Sequence, residues 1–290
     1  MNELAEWDIV TGVGITALGV AAGRAMETHR QDRLISDPYA EAFVEAAAPP
    51  VPMPTRLDEV DDSEIPWGSM ATYMGVRSRF FDDYFAAASG AGIDQVVLLA
   101  VGLDVRAFRL DWPAGTTVYE LDAPRVLSFK DEVLAAQDAR PRADRREVAV
   151  DLRENWAVPL QDKGFDGNRR SAWLAEGLLP FLPNEAKERL FRFVTDLSAP
   201  GSRLEVEHFD NVRGVMQEDR IRRMSQLFGI DMAAMWRDEE DFAAAAWLSD
   251  HGWEVDVVRS AEVADGFGRT LEDGDVPAGQ SSVFITAVRL

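Results

Sequence analysis

Residues 95–101 read QVVLLAV and are followed by Gly102, Leu103 and Asp104. A run this apolar predicts a β-strand buried on both faces, as strands inside a parallel sheet are. The glycine that follows predicts a sharp turn of the backbone at the end of the strand. This stretch therefore favours an α/β fold, in which helices cover both faces of the sheet.

Further strands and helices alternate along the chain after this first strand. The predicted helix at 185–197 has Asn184 as its expected N-cap. Alternation of this kind predicts a parallel, doubly wound sheet. The other predicted strands are 117–121, 147–150, 173–175, 203–207, 253–258 and 282–288, and the other predicted helices are 13–30, 70–89, 123–138, 212–228 and 238–250.

The organisation along the chain suggests a helical region that precedes an α/β core. Residues 48–54 contain four prolines and predict a loop inside this N-terminal region. We expect residues 1–92 to form a helical cap region and residues 93–290 to form the core. Residues 209–240 are predicted to be a helical insertion that flanks the core, and the whole chain is predicted to be one structural domain.

Composition and charge exclude several classes of function. The 290 residues carry 51 acidic and 30 basic side chains, a net charge of −21. Nucleic-acid partners and anionic membranes favour a basic surface, so neither is expected as a partner. The N-terminal residues lack the basic region of a signal peptide, and no apolar run reaches membrane-spanning length. We therefore expect a cytoplasmic protein.

The chemistry of metals and thiols is also disfavoured. The chain has no cysteine, and its three histidines (His29, His208 and His251) are far apart without metal-ligand spacing. No HExxH, GxSxG or GxxxxGK[ST] motif is present. These absences argue against zinc-dependent or serine hydrolases, and no metal site is predicted.

Polar residues follow five of the predicted strands. Ligands of open parallel sheets bind beyond the carboxyl ends of the strands, so these residues are expected to form a site. Acids at strand ends also serve as turn or cap residues, which is the structural alternative for each of them. The residues are Asp104, Asp122, Asp151 with Leu152, Glu176 and His208.

Gly102 and Asp122 are separated by twenty residues, the spacing at which a βαβ unit brings a carboxylate to ribose hydroxyls. A dinucleotide site would need GxGxxG, but the next glycine after Gly102 is Gly115. Asp104 would repel a pyrophosphate and suits a ligand with an ammonium or sulfonium group. Glu120 is predicted to point to the opposite face of its strand, where it is solvated or ion-paired.

Arg77 lies on the apolar stripe of its predicted helix, together with Phe81 and Tyr84. A buried guanidinium needs an anionic partner, which is either a distant acid of this chain or a ligand. His208 is either a general base or a structural polar residue.

Three aromatic residues, Trp67, Tyr73 and Phe181, either line an acceptor pocket or pack in the core.

Several sequence blocks resemble one family. They are TALGVAAGRAMETHRQDRLISDPYAEAF, YMGVRSRFFDDYF, QVVLLAVGLDVRAFRL, VYELDAPRVLSFK, VDLRENW and WLAEGLLPFLP. Across residues 11–208 the chain resembles the bacterial, mainly actinobacterial, branch of the leucine carboxyl methyltransferase-like enzymes. The resemblance implies a Rossmann-like class I methyltransferase with a seven-stranded, mostly parallel, doubly wound sheet and S-adenosyl-L-methionine as the cofactor. It also implies an N-terminal helical region and a helical lid, which corresponds to the insertion at 209–240.

The resemblance also implies roles for individual residues. Two departures accompany it: Ala100 and Val101 replace smaller residues of the family's GAGLDTRA loop, and Pro180 and Phe181 replace the methionine and tyrosine of GLLMYLP. The implied cofactor-binding residues are Arg77 and Arg24 at the methionine carboxylate, Ala100 and Gly102 in the first loop, Asp122 at the ribose, Asp151 and Leu152 at the adenine, and Glu176 at the ammonium group.

The leading hypothesis is transfer of a methyl group to a carboxylate or hydroxyl oxygen of a small molecule. One alternative is an NAD(P)-dependent oxidoreductase on a related fold, although the sequence lacks the glycine motif for it. Another is a non-catalytic protein that binds S-adenosylmethionine.

Overall fold

The computed structural model describes residues 9–60, 62, 65–209, 219–229, 231, 235, 242–271 and 282–290. Within these residues the strands form one seven-stranded sheet in the order β3-β2-β1-β4-β5-β7-β6. The strands are β1 (Gln95–Leu99), β2 (Thr117–Asp122), β3 (Asp144–Ala149), β4 (Ser171–Ala175), β5 (Arg203–Phe209), β6 (Trp253–Arg259) and β7 (Ser282–Arg289).

The sheet is mostly parallel, as predicted. The first five strands pair in parallel, and β7 runs antiparallel to both β5 and β6. All five residues of β1 are buried, in agreement with the apolar run at 96–99, and the buried amide of Gln95 hydrogen-bonds to the backbone of Asp166. Strand order reverses between β1 and β4, so a crevice for a ligand is expected beside the end of β1.

Ten α-helices in the described residues surround this sheet. The predicted helices are present, and four short ones were not predicted because they have too few turns to show helical periodicity. The helices are α1 (Val13–Thr28), α2 (Ala40–Ala47), α3 (Trp67–Gly90), α4 (Arg106–Arg109), α5 (Pro124–Ala136), α6 (Ala157–Asp162), α7 (Asn184–Asp196), α8 (Asp219–Phe228), α9 (Ala244–Asp250) and α10 (Ser260–Gly266).

One predicted N-cap is wrong, and part of the predicted lid lies outside the described residues. The N-cap of α7 is Pro183, and Asn184 is the first helical residue. The reason is that the extended backbone of Pro183 already directs the chain into the helix. Of the predicted lid at 209–240, the structure describes Phe209, residues 219–229, 231 and 235. The rest of that segment lies outside the described residues.

Apolar side chains cover the sheet on both faces. Val96 and Leu98 belong to the core shared with α1, α3 and α5. Val97 and Leu99 point the other way, into the core shared with α7 and α9. This alternation explains why β1 must be apolar throughout, since each buried aliphatic side chain contributes about 1.5–3 kcal/mol. In the part of the chain that the structure describes, no helix is long and apolar enough to cross a membrane.

Candidate active site

A cavity of about 350 Å³ lies at the carboxyl ends of β1, β2 and β4, within the usual size range of ligand pockets. Side chains of α1 and α3 also line it. Six of the eight residues predicted to bind a cofactor line this cavity. They are Arg24, Arg77, Ala100, Gly102, Asp122 and Glu176, and Asp104 lines it with them.

Asp122 connects the end of β2 to the loop after β1. One of its carboxylate oxygens accepts a hydrogen bond from the backbone N–H of Gly102 at 2.7 Å, and the other accepts one from Ala123 at 2.7 Å. Burial raises the pKa of Asp122 to about 6. The remaining lone pairs of this carboxylate leave it able to accept further hydrogen bonds from a ligand in the cavity.

The loop after β1 contains two residues with left-handed backbone. Gly102 has a φ of +50°, which a glycine adopts freely, and Ala100 has a φ of +53°. The conformation is unfavourable for Ala100 because its Cβ crowds the neighbouring carbonyl. The loop therefore holds a backbone strain at a position where the related family carries a smaller residue.

We expect Ala100→Gly to raise the free energy of unfolding by up to about 1 kcal/mol, because relief of the left-handed strain exceeds the added chain entropy of glycine. The measurement is thermal unfolding of the two proteins. The matched control is Ala87→Gly, at an exposed position inside α3, which should lower stability by about 1 kcal/mol. A loss of stability in both variants would contradict the strain at Ala100.

Arg77 is buried, as the helical stripe predicted, and its partners are acids of this chain. It forms ion pairs with Glu176 at 2.8 Å and with Glu207 at 3.0 Å. Glu207 also accepts a short hydrogen bond from the hydroxyl of Tyr73. Of the two partners predicted for Arg77, the structure shows the acids of this chain. A contact of Arg77 with a ligand stays a prediction.

Arg77 is part of an alternating series of charges that joins three elements beneath the cavity. Arg106 is central, since it pairs with Glu176 at 2.6 Å and with Asp82 at 2.8 Å. Asp82 is in turn held by Arg109 at 2.6 Å. We call this series the charge chain, and its members are Arg109, Asp82, Arg106, Glu176, Arg77 and Glu207.

Asp104 is not a member of the charge chain but forms an ion pair with Arg106, which is. Burial would raise its pKa, but the guanidinium of Arg106 outweighs this and lowers the pKa of Asp104 to about 2. Asp104 also accepts a hydrogen bond from the backbone N–H of Arg106 at 2.6 Å, the turn-capping role that was the structural alternative. The cavity therefore has a firmly ionised carboxylate at the end of the first loop.

Arg24 reaches the first loop from α1. Its guanidinium pairs with the buried Asp37 at 2.8 Å and donates a hydrogen bond to the carbonyl of Leu103 at 2.7 Å. Its visible role is therefore to fix the loop to the N-terminal helices. Binding of a carboxylate by Arg24 stays a prediction.

Three of the singled-out residues do not line the cavity. Asp151 is half-buried and pairs with Arg153 at 3.0 Å, and Leu152 packs in the core. Both follow β3, which lies two strands away from β1. His208 is on the opposite face of β5 from Glu207 and Phe209, because side chains alternate along a strand. The structure therefore gives no support to His208 as a base at the cavity.

Trp67, Tyr73 and Phe181 line the cavity, and Trp67 also packs in the core, so both alternatives apply to it. Their place in an acceptor pocket stays a prediction.

Glu120 is ion-paired, as one of its two alternatives predicted. It is completely buried between Lys130, at 2.8 Å, and Arg145, at 2.7 Å, and it does not line the cavity. The expectation that it faces away from Asp122 is wrong, because residues two apart on a regular strand share a face. Glu120 is kept from the cavity by its depth in the sheet, beside Leu98 of β1.

Sequence comparison identifies the family. The profile of the family described as "Leucine carboxyl methyltransferase" matches residues 17–195, more than half of the chain. A "Putative S-adenosyl-L-methionine-dependent methyltransferase" of Saccharopolyspora erythraea is 46% identical over 100% of both chains. A protein of the same description from Rhodococcus jostii is 45% identical over 98% of both chains.

Solved structures share the fold. A "putative methyltransferase" from Thermobifida fusca superposes with a TM-score of 0.54 at 17% identity, covering 93% of this chain and 94% of its own. A DUF574 family protein from Streptomyces avermitilis gives 0.53 at 15% identity, covering 93% and 97%. By sequence, the chain belongs to the leucine carboxyl methyltransferase family and is an S-adenosylmethionine-dependent methyltransferase.

Proposed function

We propose that the protein methylates an oxygen, of a carboxylate or a hydroxyl group, on a small-molecule acceptor. The observation that carries the proposal is the cavity at the carboxyl ends of β1, β2 and β4, which joins an acidic end to an apolar end. The family description, which names carboxyl methylation, supports oxygen as the methylated atom.

The acidic end fits the cofactor. S-adenosylmethionine, when bound, supplies a methyl group attached to a positively charged sulfur, and it carries an ammonium group and a ribose. Asp104, Asp122 and Glu176 line the cavity, and their carboxylates match this set of cations and hydroxyl donors. Asp122 would accept hydrogen bonds from the ribose, and Gly102 would let the backbone lie close to the methionine part.

Asp104, Asp122 and Glu176 at the acidic end are the candidate bases of the cavity. Among the described residues that line it there is neither histidine nor lysine. A carboxylate acceptor needs no base because it is already ionised, whereas a hydroxyl acceptor must lose a proton. The contribution of the protein is then to hold donor and acceptor together and to exclude water, which can account for much of a displacement rate.

The test of the proposal is isothermal titration calorimetry of the purified protein with S-adenosylmethionine, S-adenosylhomocysteine and NADH. We expect the first two to bind and NADH not to bind, since the first loop has no second glycine for a pyrophosphate. Binding of NADH alone would refute the assignment in favour of an oxidoreductase.

Cofactor affinity should depend on pH through Asp122. Its ionised form accepts hydrogen bonds better, and burial raises its pKa to about 6. We expect the Kd for S-adenosylhomocysteine to be constant above pH 7 and to rise towards about tenfold per pH unit well below pH 6. Calorimetry between pH 5 and 8 measures this. An Asp122→Asn variant should lack the pH dependence, and an equal dependence in that variant would contradict the prediction.

A further inference from the structure

The cavity extends far beyond the acidic residues that suit the cofactor. Trp67 and Arg77 both line it and are ten residues apart on α3. At a rise of 1.5 Å per residue, this separation corresponds to about 15 Å along the helix. One end of the cavity is therefore at the charge chain, and the other is near the start of α3.

The second end is apolar. Near the start of α3, Gly19 of α1 lies beside Met70. Large apolar side chains of the cavity lining come from α1, from the segment before α3, from α3 itself, from the turn after β4 and from the end of β5. They are Val20, Met53, Trp67, Met70, Phe181 and Phe209.

Polar groups near this end already have partners within the protein. The hydroxyl of Thr16 donates to the carbonyl of Val13 at 2.7 Å. The hydroxyl of Tyr73 is bonded to Glu207 and lies 2.7 Å from the Ser282 hydroxyl. A ligand with many polar groups would leave them without hydrogen bonds here, at a cost of about 1–3 kcal/mol for each group.

The charges of the cavity set a second condition on the acceptor. Arg24 is paired with Asp37, and Arg77 is paired with Glu176 and Glu207, so the two arginines of the described lining are already neutralised by acids. The positive charge that remains for an anionic acceptor is the sulfonium of the cofactor. Because Arg24 and Arg77 are predicted to bind the carboxylate of the cofactor itself, the favourable position for an anionic acceptor is at the reacting atom.

We infer that the acceptor is a small apolar carboxylic acid, which places its carboxylate next to the cofactor and its hydrocarbon body in the apolar end. This inference rests on the proposed function and narrows its substrate class. One carboxylate oxygen forms a bond to the methyl carbon while the carbon–sulfur bond breaks and its electron pair stays on sulfur. The products are a methyl ester and a neutral thioether, and no proton has to move, consistent with a described lining that has no histidine or lysine.

A small apolar acceptor would distinguish this protein from a carboxyl methyltransferase that acts on the end of a polypeptide. A peptide would bring amide groups into the apolar end, where the described residues offer few free partners. A saturated fatty acid brings none.

The test uses decanoic acid as the probe, titrated by calorimetry into the protein loaded with sinefungin, a non-reactive cofactor analogue that has a charged amine in place of the sulfonium. We expect decanoic acid to bind about tenfold more tightly to this complex than to the complex with uncharged S-adenosylhomocysteine. Decanedioic acid, of the same length with a second carboxylate, should bind at least about 100-fold more weakly than decanoic acid.

Variants locate the binding site. Met70→Glu places a charge in the apolar end and should weaken decanoic acid binding about 100-fold, while sinefungin affinity changes less than about threefold. Ala87→Glu, at an exposed position of α3 outside the cavity lining, is the matched control and should bind both ligands as the wild type does. Val20→Asp tests the same surface from α1 if Met70→Glu does not fold.

The outcomes separate this inference from the proposed function. Failure of both sinefungin and S-adenosylhomocysteine to bind would refute the proposed function. Sinefungin binding without decanoic acid binding would overturn the inference alone. Equal affinity for the two acids, or displacement of decanoic acid by a peptide ending in leucine, would also overturn it.

Discussion

Asp122→Asn is expected to weaken S-adenosylhomocysteine binding at least about 100-fold, equivalent to about 3 kcal/mol. The carboxylate of Asp122 lines the cavity and already accepts two backbone hydrogen bonds at 2.7 Å, which fix both of its oxygens. An asparagine replaces one acceptor by a donor, so it opposes an N–H of the loop and loses a site for the ribose hydroxyls. Calorimetry gives the Kd directly.

The matched control is Glu120→Gln, two residues earlier on β2. Glu120 is completely buried, lies outside the cavity lining and is held by Lys130 and Arg145. This variant should lose stability because two cations lose their shared anion, yet the folded protein should bind S-adenosylhomocysteine as the wild type does. An Asp122→Asn variant with a Kd within about threefold of the wild type would refute the ribose-binding role.

Glu207→Gln is expected to lower the free energy of unfolding by about 3 kcal/mol, roughly 6 °C in Tm. Glu207 is completely buried and pairs with Arg77 at 3.0 Å, so its neutral replacement leaves a buried guanidinium with a single anion. The glutamine also replaces the acceptor of the Tyr73 hydrogen bond. Chemical and thermal unfolding of the wild type and the variant provide the measurement.

The control for Glu207 is its neighbour Glu205 on the same face of β5. Burial raises the pKa of Glu205 to about 8, and its carboxyl group accepts a hydrogen bond from Thr286 at 2.6 Å. Because Glu205 is largely protonated at pH 7, Glu205→Gln should change stability by less than about 1 kcal/mol. A larger loss for Glu205→Gln than for Glu207→Gln would contradict the distinction between the two sites.

The stability of the wild type and of Glu205→Gln should also differ in its dependence on pH. The folded pKa of Glu205, about 8, is above its unfolded value of 4.5. Folding therefore retains a proton between these values, and the stability from this group is fully present below pH 4.5 and is lost as the pH rises to about 8. The wild type should lose stability relative to Glu205→Gln across that interval.

Much of the fold could be predicted because apolar runs in the sequence indicate which segments form buried strands. Each of the seven strands is predicted to within a few residues, and the first is the clearest because a short apolar run bounded by a glycine is typical of a strand covered on both faces. The short helices were missed, since α4 has four residues and α6 has six. Periodicity cannot be recognised over so few turns.

The candidate site was predicted less completely. Asp104, Asp122 and Glu176 meet because β1, β2 and β4 are adjacent, and this follows from strand order. Asp151 is outside the cavity lining because β3 is farther along the sheet.

Glu207 is not among the site residues predicted from the sequence, although the sequence contains a signal for a buried acid at this position. Arg77 on an apolar helical stripe required a buried acid, and RLEVEHF (203–209) places acids on one face of a predicted strand. Nothing in the sequence indicated that α3 covers that face.

The charge chain also constrains how this enzyme can diverge. Its six members alternate in sign and sum to zero, and Asp104 beside Arg106 adds one negative charge, so any single replacement of a member changes the net charge of a buried network. Replacing an adjacent arginine and acid together keeps that net charge, and the two substitutions should be far from additive. Natural variants are therefore expected to keep the series whole or to exchange its members as neighbouring pairs, a covariation that joins helix to sheet beneath the cavity.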